Sequence, residues 1–173
     1  LISEAIGKSW ATNAHDLERL TEFSRDDEFL FQLGDIKHTA KRRVTDELHA
    51  LHGIDLSHQA FFDMQLSRIH PSKRQVLHIL YILARFLRLK NGDDLPTFRA
   101  HIFAGKAIPS DNLGKQIIRL INIIARIIND DDDVKSKMTV VFVPNYTVSS
   151  AELLIPAADL GEQLSAPHLE ACA

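Results

Sequence analysis

The fold is decided first by residues 138–143, whose sequence MTVVFV is almost uninterrupted in apolar and β-branched side chains. Strands with one exposed face alternate apolar and polar residues, whereas a continuous run of this kind is typical of a parallel strand buried on both faces. An acidic run at 130–133 precedes it and is expected to form a solvated loop. The stretch therefore predicts a parallel sheet covered by helices.

Outward from this strand, the chain repeats an order of strand and then helix. Predicted strands cover 61–66, 98–104 and 159–164, and predicted helices cover 71–90, 110–129 and 149–154. Pro71 is expected to open its helix at a position where a missing N–H costs nothing, and Asn91-Gly92 to end it. The alternation predicts an α/β fold with a Rossmann-like parallel sheet and flanking helices.

The first part of the chain has a different pattern. Two amphipathic helices are predicted, one from about Asp16 to Phe23 and one from about Asp27 to a left-handed cap at Gly53. We therefore predict an N-terminal helical segment at 1–58 and a partial Rossmann-like domain at 59–173.

Composition restricts the class of protein. A hydrophobic fraction of 45% and a charged fraction of 25% are typical of globular proteins, and a net charge of −3 offers no overall field for nucleic acid or anionic membranes. The most apolar segment, 117–128, is too short and too polar to span a bilayer. The single Cys172 cannot form an internal disulfide, which indicates a reducing, cytoplasmic compartment. A start without Met suggests a piece of a longer protein.

The nine histidines are scattered and have no CxxC partner, so the sequence predicts no metal site. His78 falls among apolar helix positions and is expected to be a half-buried side chain with its hydrogen bonds satisfied. No nucleophile elbow or catalytic triad order is present.

The loop after 61–66 is the strongest candidate for chemistry, because ligands of parallel sheets bind outside the carboxyl ends of the strands. Arg68, Lys73 and Arg74 lie there beside a predicted helix N-terminus, where free N–H groups and the helix dipole favour an anion. Arg grips phosphate through paired hydrogen bonds and Lys adds a point charge. The alternative is that Lys73 and Arg74 are simply solvated in the first helical turn.

The later loops carry weaker signals. Gly105-Lys106 lacks the spacing of a Walker motif and favours a plain turn. Tyr146 could stack on a planar ligand or cover the sheet edge, and Ser149 or Ser150 is an adequate helix cap. Glu170 could accept hydrogen bonds from sugar hydroxyls or be an ordinary surface carboxylate.

Four blocks of sequence resemble one known family. They read FDMQ, RIH and KRQ at 62–65, 68–70 and 73–75, GKA at 105–107, NY and VS at 145–146 and 148–149, and IPAADL at 155–160. In the same order they are similar to the FDVQ…RIHEYKRQ, GGKAAPG, NYRVSLAE and IPAADLSEQIS segments of the glycogen, starch and maltodextrin phosphorylases. The resemblance covers essentially the whole chain.

The resemblance implies a fragment of the C-terminal lobe of a two-lobed, glycosyltransferase-like (GT-B) fold. It also implies a parent enzyme, in this family often a homodimer, that holds pyridoxal 5′-phosphate. The family uses inorganic phosphate to cleave α-1,4-glucan and release glucose 1-phosphate. By resemblance, the site residues are Arg68 and Lys73 as catalytic phosphate ligands, Glu170 and His70 at the substrate, and Tyr146 and Val148 at the cofactor.

Several positions depart from the family pattern. Ser67 and Thr147 replace a Lys and an Arg, Ser72 replaces a Tyr, and the Schiff-base lysine with its glycine loop is absent from this chain. We therefore expect the chain to be inactive by itself. The alternative is a non-catalytic derivative that binds phosphate or sugar. A sugar-nucleotide glycosyltransferase of similar fold is disfavoured, because the matched blocks are phosphorylase blocks.

Overall fold

The computed structural model describes residues 1–94 and 97–165. The chain divides into two compact units, Leu1–Ala40 and Lys41–Ala173, and the boundary between them lies within one long helix. A domain boundary at residue 58 stays a prediction.

The first unit is helical. Its elements are α1 (Ile2–Ile6), two 3₁₀ helices (Ser9–Ala11 and Ala14–Phe23) and the first part of α2 (Asp27–His52). The segment before α2 is therefore helical as predicted, although its hydrogen bonds follow the tighter 3₁₀ pattern. The indole N–H of Trp10 donates to the Ser3 hydroxyl at 3.0 Å.

The second unit contains a four-stranded sheet. Its strands are β1 (Phe61–Leu66), β2 (Arg99–Ala104), β3 (Met138–Val143) and β4 (Leu160–Gly161). Their order is β3-β2-β1-β4 and every pair is parallel, which confirms the predicted sheet. The predicted strand at 159–164 is too long, because only Leu160 and Gly161 pair with β1.

This unit also contains the second part of α2 and three further α-helices: α3 (Gln75–Lys90), α4 (Asn112–Asn129) and α5 (Val148–Ala157). In α4, a buried isoleucine recurs every three to four residues, at 117, 121, 124 and 128, and forms one apolar stripe against the core. The Asp111 carboxylate caps α4 by accepting the Gly114 N–H at 2.9 Å. Gly53 has the predicted left-handed conformation after α2, with φ of 63°.

Two predicted helix starts are wrong. Pro71–Lys73 is a 3₁₀ turn, Arg74 adopts left-handed φ of 53°, and α3 begins only at Gln75. The Gln65 amide donates to the Lys73 carbonyl at 2.8 Å, so that carbonyl is bound to the sheet side chain.

In α5 the cap is Thr147 rather than Ser149 or Ser150. Its hydroxyl accepts the Ser150 N–H, and the Ser150 hydroxyl in turn accepts the Thr147 N–H, which forms a capping box. The helix extends to Ala157, three residues beyond its predicted end. Among all the described helices, none combines the length and apolarity that a membrane span requires.

Candidate functional site

The direction of the strand order reverses beside β1. From β1 the chain proceeds to β2 and β3 on one side, and then returns to place β4 on the other side. Ligands of doubly wound sheets bind at such a reversal, outside the carboxyl ends of the strands. The segments at this position are 67–74 after β1 and 162–165 after β4. The Lys73 ammonium joins them by donating to the Ser165 hydroxyl at 3.1 Å.

The loop after β1 is held against the loop after β2. The Ser67 N–H donates to the Ala104 carbonyl at 3.1 Å, and the Ile69 N–H donates to the Lys106 carbonyl at 3.0 Å. A Cβ at Gly105 would lie 2.0 Å from the Ser67 carbonyl oxygen, so only glycine allows this approach. The Gly105-Lys106 turn therefore supports the backbone of the loop that carries Arg68.

Two buried glutamines fix the backbone of the same loop. The Gln75 side chain is fully buried, and its amide donates to the Arg68 carbonyl at 2.9 Å. The equally buried Gln65 donates to the Lys73 carbonyl. Sequence reasoning assigned neither glutamine a role. The available signal was a polar amide within a strand or helix face that is otherwise apolar, because a buried amide requires partners.

The structure brings Arg68, His70 and Lys73 together in the one connection between β1 and α3. The Arg68 side chain is exposed, and those of His70 and Lys73 are half-buried. The His70 Nδ1 accepts the Ser72 N–H at 3.2 Å and lies 2.8 Å from the Ser72 hydroxyl. This ring nitrogen therefore caps the 3₁₀ turn, and a substrate contact by His70 would use Nε2.

The predicted cofactor residues lie at the end of β3. Strand β2 separates β3 from β1, so the two loops are about 10 Å apart at the same sheet edge. Tyr146 is half-buried, and burial raises the pKa of its hydroxyl above its ordinary value. Val148 is 77% exposed at the first turn of α5. The predicted sugar ligand Glu170 lies outside the described residues.

Comparison with known proteins agrees with the resemblance. The profile of the family described as carbohydrate phosphorylase matches residues 1–173. The glycogen phosphorylase of Haemophilus influenzae is 40% identical over 172 residues, which are 99% of this chain and 21% of that protein. The human liver form of glycogen phosphorylase is 38% identical over 173 residues, again 99% of this chain and 20% of that protein.

The glycogen phosphorylase of Bacillus subtilis is 37% identical over 172 residues, with 99% of this chain and 22% of that protein covered. The chain therefore spans about a fifth of the length of these relatives. The matched region includes the loops after β1, β2 and β3. From the match over its whole length, the chain belongs to the carbohydrate phosphorylase family.

Proposed function

We propose that this chain is the phosphate-handling part of an α-glucan phosphorylase. The observation that carries the proposal is the Arg68–Lys73 loop, which lies at the strand-order reversal and is hydrogen-bonded to the end of β2 and to the segment after β4. Two cations in one braced loop suit an anion with several oxygens, since Arg binds two of them at once and Lys neutralises charge.

In the parent enzyme, Arg68 and Lys73 hold the inorganic phosphate and stabilise charge that develops on it as the glucan bond breaks. That role is one of positioning and electrostatic stabilisation. The reaction takes phosphate and the end of an α-1,4-glucan to glucose 1-phosphate. His70 and Glu170 are proposed to contact the glucosyl unit. The parent is proposed to be a cytoplasmic homodimer whose remaining lobe lies outside this chain.

Pyridoxal 5′-phosphate is the proposed cofactor of the parent, where its phosphate group supplies proton exchange with the substrate phosphate. The described residues fit this group only in part. Tyr146 and Val148 are proposed to contact it, but the two positions where the family has cations carry hydroxyl groups. The Ser67 hydroxyl lies 3.3 Å from the donating Gln75 amide, and the Thr147 hydroxyl caps α5. Anchoring would therefore depend on groups outside this chain.

The phosphate site is tested by titrating the protein with inorganic phosphate at low ionic strength. Binding is monitored by ³¹P NMR or calorimetry. We expect Arg68→Ala and Lys73→Ala each to weaken binding about 10- to 100-fold, the loss of one charge-assisted interaction. Lys115→Ala removes an exposed cation on α4 and serves as the matched control. Equal binding by all three variants would remove the basis of the proposal.

A non-catalytic phosphate- or sugar-binding module is the second candidate. It is favoured by the hydroxyl side chains at positions 67 and 147, which carry no charge for a cofactor phosphate. Production of glucose 1-phosphate separates the two functions. A longer protein that contains this chain, supplied with pyridoxal 5′-phosphate, glycogen and phosphate, forms it if the site is catalytic and does not if it is a binding module. The 173 residues alone are expected to form none.

A further inference from the structure

A separate polar cluster lies in the middle of the sheet, beneath α3. Asp63 of β1 and His101 of β2 are paired directly in the parallel register, and His78 of α3 packs on them with its ring 5.3 Å from that of His101. All three side chains are buried, with exposed fractions of 0%, 0% and 1%. Charged and imidazole groups at this depth need partners that compensate for their lost hydration.

The ring nitrogens and carboxylate oxygens of the three side chains face one another. The His78 Nε2 lies 3.2 Å from the His101 Nδ1 and 3.7 Å from the Asp63 Oδ1. The His101 Nδ1 lies 3.3 Å from the other carboxylate oxygen, Oδ2. A tetrahedral Zn²⁺ with bonds of about 2.0–2.2 Å separates neighbouring ligand atoms by about 3.3–3.6 Å. The contacts to Asp63 use its two different oxygens, and one ligand atom from each residue lies within 4.8 Å of the other two. A small rotation of these side chains would bring three ligand atoms to the spacing of a zinc site.

The orientation of His78 is fixed from outside the cluster. Its Nδ1 lies 3.2 Å from the Gln65 Oε1, and the Gln65 amide nitrogen is committed to the Lys73 carbonyl. The Oε1 can only accept, so the proton of neutral His78 lies on Nδ1 and the lone pair of Nε2 faces the cluster. Metal-binding histidines typically have such an outer hydrogen bond on the second ring nitrogen.

Hydrogen bonds among the described residues do not satisfy every polar atom of this cluster. Asp63 Oδ1 and His101 Nε2 are both buried, and neither has a hydrogen-bond partner among residues 1–94 and 97–165. A single proton on the His101 Nδ1 would have to serve both Asp63 and His78. The Arg99 guanidinium compensates one carboxylate oxygen from 3.0 Å, while Oδ1, which faces His78, has no such donor. Buried polar atoms of this kind are costly, and a cation at the centre would satisfy Oδ1 directly.

A path to the cluster and a further donor are available. A groove of about 420 Å³ is lined by His78, Tyr81, Glu162 and three leucines. The Glu162 carboxyl lies beside that of Asp63 at the end of this groove. A second carboxylate close to Asp63 offsets the positive charge of Arg99 and suits a divalent cation.

We propose that Asp63, His78 and His101 bind one divalent metal ion of the zinc type, with the fourth position towards Glu162. Two imidazole nitrogens and a carboxylate oxygen are ligands that Zn²⁺ accepts readily. The ion joins β1, β2 and α3, so its role is structural. This metal site is separate from the Arg68–Lys73 loop, and the proposal does not depend on the function proposed above.

The test uses the 173-residue chain, stripped with a chelator and then titrated with Zn²⁺ or Co²⁺. We expect one ion per chain, visible d–d bands of four-coordinate Co²⁺, and a higher melting temperature with Zn²⁺. His101→Phe and His78→Asn are expected to abolish all three effects. The control His49→Ala removes an exposed histidine that pairs with Asp55 at 2.8 Å, and it is expected to retain them.

A measurement on the unsubstituted chain keeps the test independent of variant folding. Long-range ¹H–¹⁵N NMR of the histidine rings should show Zn²⁺ shifting the Nε2 of His78 and the Nδ1 of His101, with the other rings unchanged. Binding of less than about one-tenth of an equivalent, or shifts confined to exposed histidines, would overturn the proposal. Retained binding in both His101→Phe and His78→Asn would overturn it as well.

Discussion

The Lys73 ammonium donates a hydrogen bond to the Ser165 hydroxyl at 3.1 Å, although 92 residues separate the two in the chain. The bond joins the loop after β1 to the segment after β4 and directs the Lys73 cation towards that segment. We expect Ser165→Ala to weaken phosphate binding about 2- to 10-fold, the effect of one hydrogen bond, without loss of stability. Isothermal titration measures this, with exposed Ser110→Ala as control. Unchanged affinity would show that Ser165 does not position Lys73.

A charge gain at Ser67 should strengthen the same site. This residue immediately precedes Arg68 and is half-buried at the end of β1. Ser67→Lys adds a cation within the loop, so we expect phosphate affinity to rise about tenfold at low salt and the gain to shrink as salt is added. Ser110→Lys adds the same charge in the loop after β2 and controls for net charge. An equal gain in both variants would contradict a local effect.

Gly105 permits the contact between the first two loops. Gly105→Ala puts a Cβ 2.0 Å from the Ser67 carbonyl oxygen, and a backbone atom cannot move away without displacing the loop. We expect a loss of unfolding free energy of about 1–3 kcal/mol, as for other overpacked sites, measured by urea denaturation. Gly161→Ala is the control, because no atom lies within 4 Å of its added Cβ. Similar losses in both variants would exclude the steric explanation.

Asp159 holds the start of β4 against β1. Its Oδ2 accepts the Phe62 N–H at 2.7 Å and pairs with the Lys41 ammonium at 2.5 Å. The side chains of Lys41 and Asp159 are both largely shielded from solvent. We expect Asp159→Asn to lower the unfolding free energy by about 2 kcal/mol, because it leaves Lys41 without its counter-charge.

Asp132→Asn tests the alternative that any lost ion pair has this effect. Asp132 pairs with Lys135 at an exposed position, where solvent and salt screen the ion pair and its loss has little effect on stability. Equal destabilisation by both substitutions would contradict a specific role for Asp159.

The cap of α5 distinguishes the observed helix start from the predicted one. Thr147→Ala removes the acceptor for the Ser150 N–H and should cost about 1 kcal/mol in thermal or urea unfolding. Ser149→Ala lies two residues later and exposed, so we expect a change below about 0.5 kcal/mol. A larger effect at Ser149 would restore the cap predicted from the sequence.

Sequence patterns were sufficient for β1, β3 and the buried stripe of α4. The apolar and β-branched run at 138–143 gave β3 its correct bounds, the FFDMQL stretch gave those of β1, and the isoleucines of α4 recur with helical spacing. Such patterns arise because buried and exposed positions alternate within one element, so a short stretch of sequence is enough to reveal them. The start of α3 was not predictable in this way, because the left-handed Arg74 accompanies a bond between Gln65 and the Lys73 carbonyl.

The cations of the candidate site could be named from the sequence, whereas the contacts that hold their loop could not. Arg68 and Lys73 are evident as cations after a strand, and both lie in the connection between β1 and α3. Their phosphate role stays a prediction. The contact of Gly105 with Ser67 and the cluster of Asp63, His78 and His101 join residues from separate elements. No spacing in the sequence reports such pairs, since their distance is set by strand register and helix packing.

The order β3-β2-β1-β4 has a consequence for the time course of folding. Pairing of β1 with β2 closes a loop of moderate length, whereas β4 must return to β1 after almost one hundred residues and gains only two paired positions. Longer loops cost more entropy to close, and few contacts repay that cost. We therefore expect β4 to dock last and to open first. The Glu162 amide, which donates to the Met64 carbonyl, should exchange its hydrogen well before those at the centre of β2.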